Sequence, residues 1–152
     1  MKESLKSSSI EQVQAEERLF ALVERKLDAK FEKNPKLFLS DNAFTYIQPD
    51  FYSHKERIIG EIFSHVGKPK KAQDNKIAND ILKMLLFEKV AGKKYRKIIV
   101  VCDEAELKKL RGLSALGESI RQFEIELLYI PIDPVLRDML MRAQDRQKMT
   151  NA

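Results

Sequence analysis

Apolar residues recur at helical spacing through Val13, Phe20, Val23, Leu27 and Phe31, and Ser8 with Glu11 stands at capping-box spacing ahead of them. The pattern predicts a first helix over roughly 9–32, with residues 1–8 a polar, disordered tail. Pro35 and the turn residues around it end that helix. Two runs rich in β-branched and aromatic residues follow, "AFTYIQPDFY" (43–52) and "RIIGEIFSHV" (57–66), and the link "SHKE" is short enough to make them an antiparallel hairpin. Residues 72–90 return to helical spacing, closed by Gly92 as a C-cap. "KIIVVC" (97–102) is a continuous apolar run, the pattern of a central strand covered on both faces. Helical stretches at 103–110 and 114–122, a strand at "EIELLYI" (124–130) and a last helix opened by Asp133 and Pro134 complete the chain.

The early hairpin calls for antiparallel strands and the later β–α–β alternation for parallel ones, so the expected fold is α/β, a mixed β-sheet flanked by helices. With 152 residues, 43% hydrophobic and 34% charged, the chain suits a single domain over 1–152 with one core. The lone Cys102 permits no internal disulfide and points to a reducing, cytoplasmic setting. Glu11, Glu16, Glu17 and Glu24 interrupt any leader-like apolar stretch, and no apolar run approaches the roughly 20 residues of a spanning helix, so no membrane partner is expected. The net charge of +5 is mild. It concentrates in two loops, one bearing Lys68, Lys70 and Lys71 and the other Lys93 and Lys94, which can meet the phosphates of a nucleic acid or simply be solvated.

Candidate chemistry lies on the hairpin. Side chains alternate along a strand, so Arg57, Ile59, Glu61, Phe63 and His65 share one face, and Asp50 on the partner strand can lie across from it. Two carboxylates brought together there repel unless a cation holds them or one keeps its proton. Oxygen ligands of this kind suit Mg²⁺ or Mn²⁺, which retain waters and take up phosphate oxygens of a substrate.

Pro49-Asp50, then Gly60-Glu61-Ile62, followed by a helix and a buried strand, resembles the PD-(D/E)xK nuclease superfamily over roughly residues 10–102. The resemblance implies a restriction-endonuclease-like core and metal-dependent hydrolysis of phosphodiester bonds in nucleic acid. Asp50 and Glu61 would be the metal ligands, and Glu16, Glu17 or Glu24 a further acidic contact. The family places a lysine two residues after the glutamate; here that residue is Phe63. Some members supply the lysine from the following helix, which directs attention to Lys76 and Lys83, with Lys76 a turn into the helix and nearer the carboxylates. Gln73 at the start of that helix would bind phosphate or a metal-bound water.

Plainer readings stand beside these. Asp50 suits a turn after Pro49, Glu61 can pair with a basic neighbour, His65 can be a satisfied imidazole at a strand end, and Gln73, Lys76, Asp80 and Lys83 form one solvated helix face. Two other functions compete: a nuclease-like binding module that has lost catalysis, as Phe63 suggests, and a toprim-like phosphoryl-transfer domain using Glu61 and Asp103, although Asp103-Glu104-Ala105 lacks the toprim Asp-x-Asp.

Overall fold

In the computed structural model the described residues are 2–151, with side chains described for 10–148. The elements in chain order are α1 (Lys2–Leu27), β1 (Glu32–Lys33), β2 (Leu37–Phe38), β3 (Tyr46–Ile47), β4 (Phe51–Ser53), β5 (Ile58–Phe63), α2 (Ala72–Ala91), β6 (Arg96–Val101), α3 (Glu104–Leu110), α4 (Ala115–Gln122), β7 (Glu126–Tyr129) and α5 (Pro134–Asn151). Five strands form a mixed sheet in the order β1-β4-β5-β6-β7, antiparallel from β1 to β5 and parallel from β5 to β7. β2 and β3 make a separate antiparallel ribbon.

The two parallel crossovers, through α2 and then through α3 and α4, step in the same direction across the sheet. Right-handed crossovers that do so lie on one face. Ile77, Ile81, Met84 and Phe87 of α2, Leu110 of α3 and Ile120 of α4 accordingly pack with Ile59, Phe63, Ile99 and Val101 on that face. The other face is covered by α1 and α5, which contribute Ala15, Leu19, Val23, Leu136 and Leu140 over Phe51, Ile58, Ile98 and Val100. Each fully buried aliphatic or aromatic side chain in these layers contributes roughly 1.5–3 kcal/mol. β6 is buried on both faces, as its unbroken apolar run predicts, and Gly92 closes α2 with φ of 66°.

The first third departs from expectation. α1 begins at Lys2 and runs on through Ser8, so the expected tail and helix start are not found; the Ser8 side chain lies outside those described. The helix also stops five residues early. Asp28 takes φ of 49°, and the N–H groups of Asp28 and Ala29 turn back to the carbonyls of Arg25 and Glu24. Phe31, counted with the helical stripe, instead sets its ring 5.1 Å from Phe51. The expected strand 43–52 is two strands, β3 and β4, because Pro49 offers no N–H to a ladder and the chain bends at Gln48-Pro49-Asp50.

No helix among the described residues is long and apolar enough to cross a membrane.

A candidate carboxylate site at the β4–β5 hairpin

The β4–β5 register pairs Phe51 with Gly60, Tyr52 with Ile59 and Ser53 with Ile58. Asp50 immediately precedes this ladder and Glu61 immediately follows Gly60, so the two stand at the same end of it. Ile59 and Phe63 belong to the α2 layer, so alternation directs Glu61 toward α2, while Asp50, just before β4, turns its carboxylate to the N–H of Ile62. Gly60 is what permits the register: the Phe51 ring lies against it, and a Cβ at that position would overlap the ring.

Asp50 is held firmly. The N–H of Ile62 donates to its Oδ2 at 2.6 Å, and the N–H of Asn34 donates to its carbonyl at 3.3 Å. Glu61 lies within hydrogen-bonding reach of the Asp50 carboxylate. Burial pushes Glu61 up to about 9, and the Asp50 charge, the shared hydrogen bond and the Asp80 charge add to the rise. Without a cation the pair therefore holds one proton near neutral pH. Asp80 shows the same field: burial raises its carboxyl, Lys76 and Lys83 pull it back, and Asp50 adds to the rise.

Among the described residues no group of three or more His, Cys, Asp and Glu side chains is arranged to hold a metal ion. The donor set that fits a cation is the Asp50–Glu61 pair. Two carboxylates leave most of a hard divalent ion's coordination to water and to ligand oxygens, the usual arrangement for Mg²⁺ at phosphate sites.

Beside the pair opens a cavity of about 370 Å³, bounded by α1, α5, β1 and the end of β5. Asp50 and Lys76 both line it, and so does Glu16, whereas Gln73 does not. Glu17 is not in the lining, and Glu24 accepts from the Phe31 N–H at 2.9 Å with Lys30 at 3.9 Å. Phe63 is a core residue beneath α2, its ring 5.9 Å from that of His65. His65 meets the Lys68 carbonyl at 3.1 Å through Nε2. The cavity also includes Lys33, Asn34 and Gln144, which sequence reasoning missed. Lys33 ends an exposed two-residue strand with no apolar pattern and Asn34 follows it, and Gln144 reaches the site only because α5 folds back on α1. Its amide clamps Val66, accepting from the N–H at 2.8 Å and donating to the carbonyl at 2.9 Å.

The two basic loops are not neighbours. Lys68, Lys70 and Lys71 precede α2, while Lys93 and Lys94 follow it, a helix of 20 residues and hence about 30 Å away. Lys70 is fully exposed, and the neighbouring Lys148 ammonium lowers its pKa; Lys94 pairs with Glu124 at 3.5 Å. Asp103, the second acid of a toprim-like reading, has its carboxylate engaged by the N–H groups of Ala105 and Gly67 at 2.9 Å and by Arg137 at 3.1 Å. Cys102 is buried, and burial followed by the Asp103 charge pushes its thiol up to about 12, which suits an inert packing residue. Set against known proteins, the chain matches no family model, no curated protein and no solved structure.

Proposed function

We propose that this chain hydrolyses phosphodiester bonds in nucleic acid, using Asp50 and Glu61 to hold a divalent cation. The observation that carries the reading is the convergence of these two carboxyls across the β4–β5 ladder beside a polar cavity that Lys76 also lines. The order of helix, antiparallel strands, helix and parallel strand agrees with the PD-(D/E)xK resemblance. Mg²⁺ or Mn²⁺ bound there would polarise a phosphoryl oxygen and lower the pKa of a bound water.

The chain's own residues supply the rest. Ile62 and Asn34 fix Asp50 through backbone donors, so its carboxylate needs no reorganisation on binding. Glu61 would release the shared proton if the pair took a cation, because a +2 charge would offset the burial and the Asp50 charge that raised it. Phe63 has no charge to offer, and Lys76, which shares the cavity with Asp50 and Lys33, would offset charge developing on the phosphate. Gln73, outside the cavity lining, is left to phosphates further along the strand, together with Lys68, Lys70 and Lys71.

Removing a group that stabilises charge only in the transition state typically costs ~10²–10³ in rate. Lys76→Ala should therefore lower Mn²⁺-dependent cleavage of an oligonucleotide by about that factor with little change in KM, and Glu61→Gln should abolish it. Wild-type protein that cleaves neither single-stranded nor duplex substrate in Mg²⁺ or Mn²⁺ contradicts the proposal. The buried Phe63 favours one second reading, a binding module without chemistry. That module would bind nucleic acid equally well with and without divalent ions.

A further inference from the structure

We infer that the cavity beside Asp50 receives one unpaired nucleotide, so that the preferred ligand is single-stranded nucleic acid. This deepens the proposed function, on which it rests for the nature of the ligand. Its volume of about 370 Å³ lies in the range of pockets that enclose a small ligand, about 300–1,000 Å³. Its lining combines the apolar side chains of Leu19, Phe20, Ile62 and Leu140 with the amides of Gln12, Asn34 and Gln147. A flat apolar group edged with hydrogen-bonding atoms, attached to an anion, complements that lining; a nucleobase on its phosphate has this chemistry.

Two of the charged lining residues fit the same ligand, Lys33 and Lys76, beside the acids Glu16 and Asp50. Lys33 sets its ammonium 5.8 Å from the centre of the Phe20 ring. The lysine is exposed, so it can swing to a backbone phosphate and leave the ring face to a base. Asp50 lines the cavity as well, so a phosphate that reaches the carboxylate pair brings the adjoining nucleotide to the opening. In a duplex that base is paired and stacked, and entering a pocket between two helices would require its extrusion at a cost of a few kcal/mol. A single strand avoids that cost.

The β2–β3 ribbon extends the same surface. Gln48, which follows β3, donates to the carbonyl of Asn34 at 3.3 Å, so the ribbon leaves and rejoins the fold at the cavity wall. It presents Phe38 and Tyr46 edge to face at 5.8 Å, Lys36 with its ammonium 5.0 Å from the Tyr46 ring, and Phe44 at 90% exposure. Exposed rings interleaved with lysines are how sequence-tolerant single-strand binders hold successive bases.

The test is fluorescence anisotropy in EDTA at low salt, with a labelled oligothymidylate of roughly 12 nucleotides and a blunt duplex of the same length as probes. The oligothymidylate should bind at least about tenfold more tightly than the duplex, and Phe20→Ala and Lys33→Gln should each weaken it about fivefold or more while leaving duplex binding unchanged. Phe20 packs against the core, so circular dichroism checks its fold. The exposed Gln147→Glu, which adds a negative charge to the wall, gives an independent variant expected to act in the same direction. Because the metal is chelated, cleavage plays no part in this readout. Single-strand preference and cavity effects in a protein that never cleaves in Mn²⁺ uphold the ligand and remove only the chemistry. Duplex binding as tight as single-strand binding, or cavity variants that change neither, overturns the inference.

Discussion

Two adjacent parallel strands each end beside acidic side chains, and the protein treats them oppositely. At β6, burial alone would raise Asp103, but donors from Gly67, Ala105 and Arg137 meet its carboxylate and hold it below the usual carboxylate range. At β5, burial and then the charge of the facing Asp50 push Glu61 up to about 9. The first carboxylate stitches α3, α5 and the β5–α2 loop together. The second is kept at a cost to stability, because burial and the Asp50 charge oppose its ionisation. The difference separates a structural acid from an available one without appeal to sequence motifs.

The largest break in that comparison is Gly60→Ala. Any Cβ there collides with the Phe51 ring, so the β4–β5 register that aligns Asp50 with Glu61 must shift, and overpacking of this kind costs roughly 3 kcal/mol. A urea melt reads the loss. Asp103→Ala comes next, at about 2–3 kcal/mol, because it removes the N-cap of α3 and leaves two further donors without their charged partner. Glu61→Gln should have the opposite sign: its amide donates to Asp50 without a shared proton, and a gain of about 1 kcal/mol at pH 8 in metal-free buffer is expected. Arg137→Ala is the smallest, under about 1 kcal/mol, because that side chain is 44% exposed and its pair is screened.

Acidity sharpens the same contrast. Asp103 is depressed, so its contribution is present above the unfolded value near 4 and is lost as pH falls through the lower folded value. Glu61 is raised, so its contribution is complete below the unfolded value near 4.5 and is lost as pH climbs to about 9. Stability measured against pH in EDTA should therefore lose its acid-side slope in Asp103→Asn. Its slope between neutral pH and pH 9 should flatten in Glu61→Gln.

Where local pattern and tertiary packing agreed, the sequence was readable. β5, α2 and β6 carry long apolar runs or stripes with a glycine cap, and the alternation that put Glu61 on one face of β5 is the alternation observed. β1 was invisible because Glu32 and Lys33 are both exposed and pair with β4 only through backbone groups. Pro49 was readable as a break but was absorbed into a longer strand. Asp50, Lys76 and Glu16 were legible as candidates, but the cavity they line was not: most of its lining comes from residues 12–34 and 140–147, and nothing in either stretch signals that α1 and α5 pack together. The two lysine-rich loops looked alike in composition, yet the length of α2 sets them at opposite ends of the sheet.

The central claim is that Asp50 and Glu61 form a cation site, and calorimetric titration of the intact protein with Mn²⁺ tests it most directly. The account predicts one Mn²⁺ per chain, with protons released on binding near neutral pH because Glu61 must ionise, and loss of that binding in both Asp50→Asn and Glu61→Gln. No heat of binding in the wild type, or the same heat in the two variants, would contradict it.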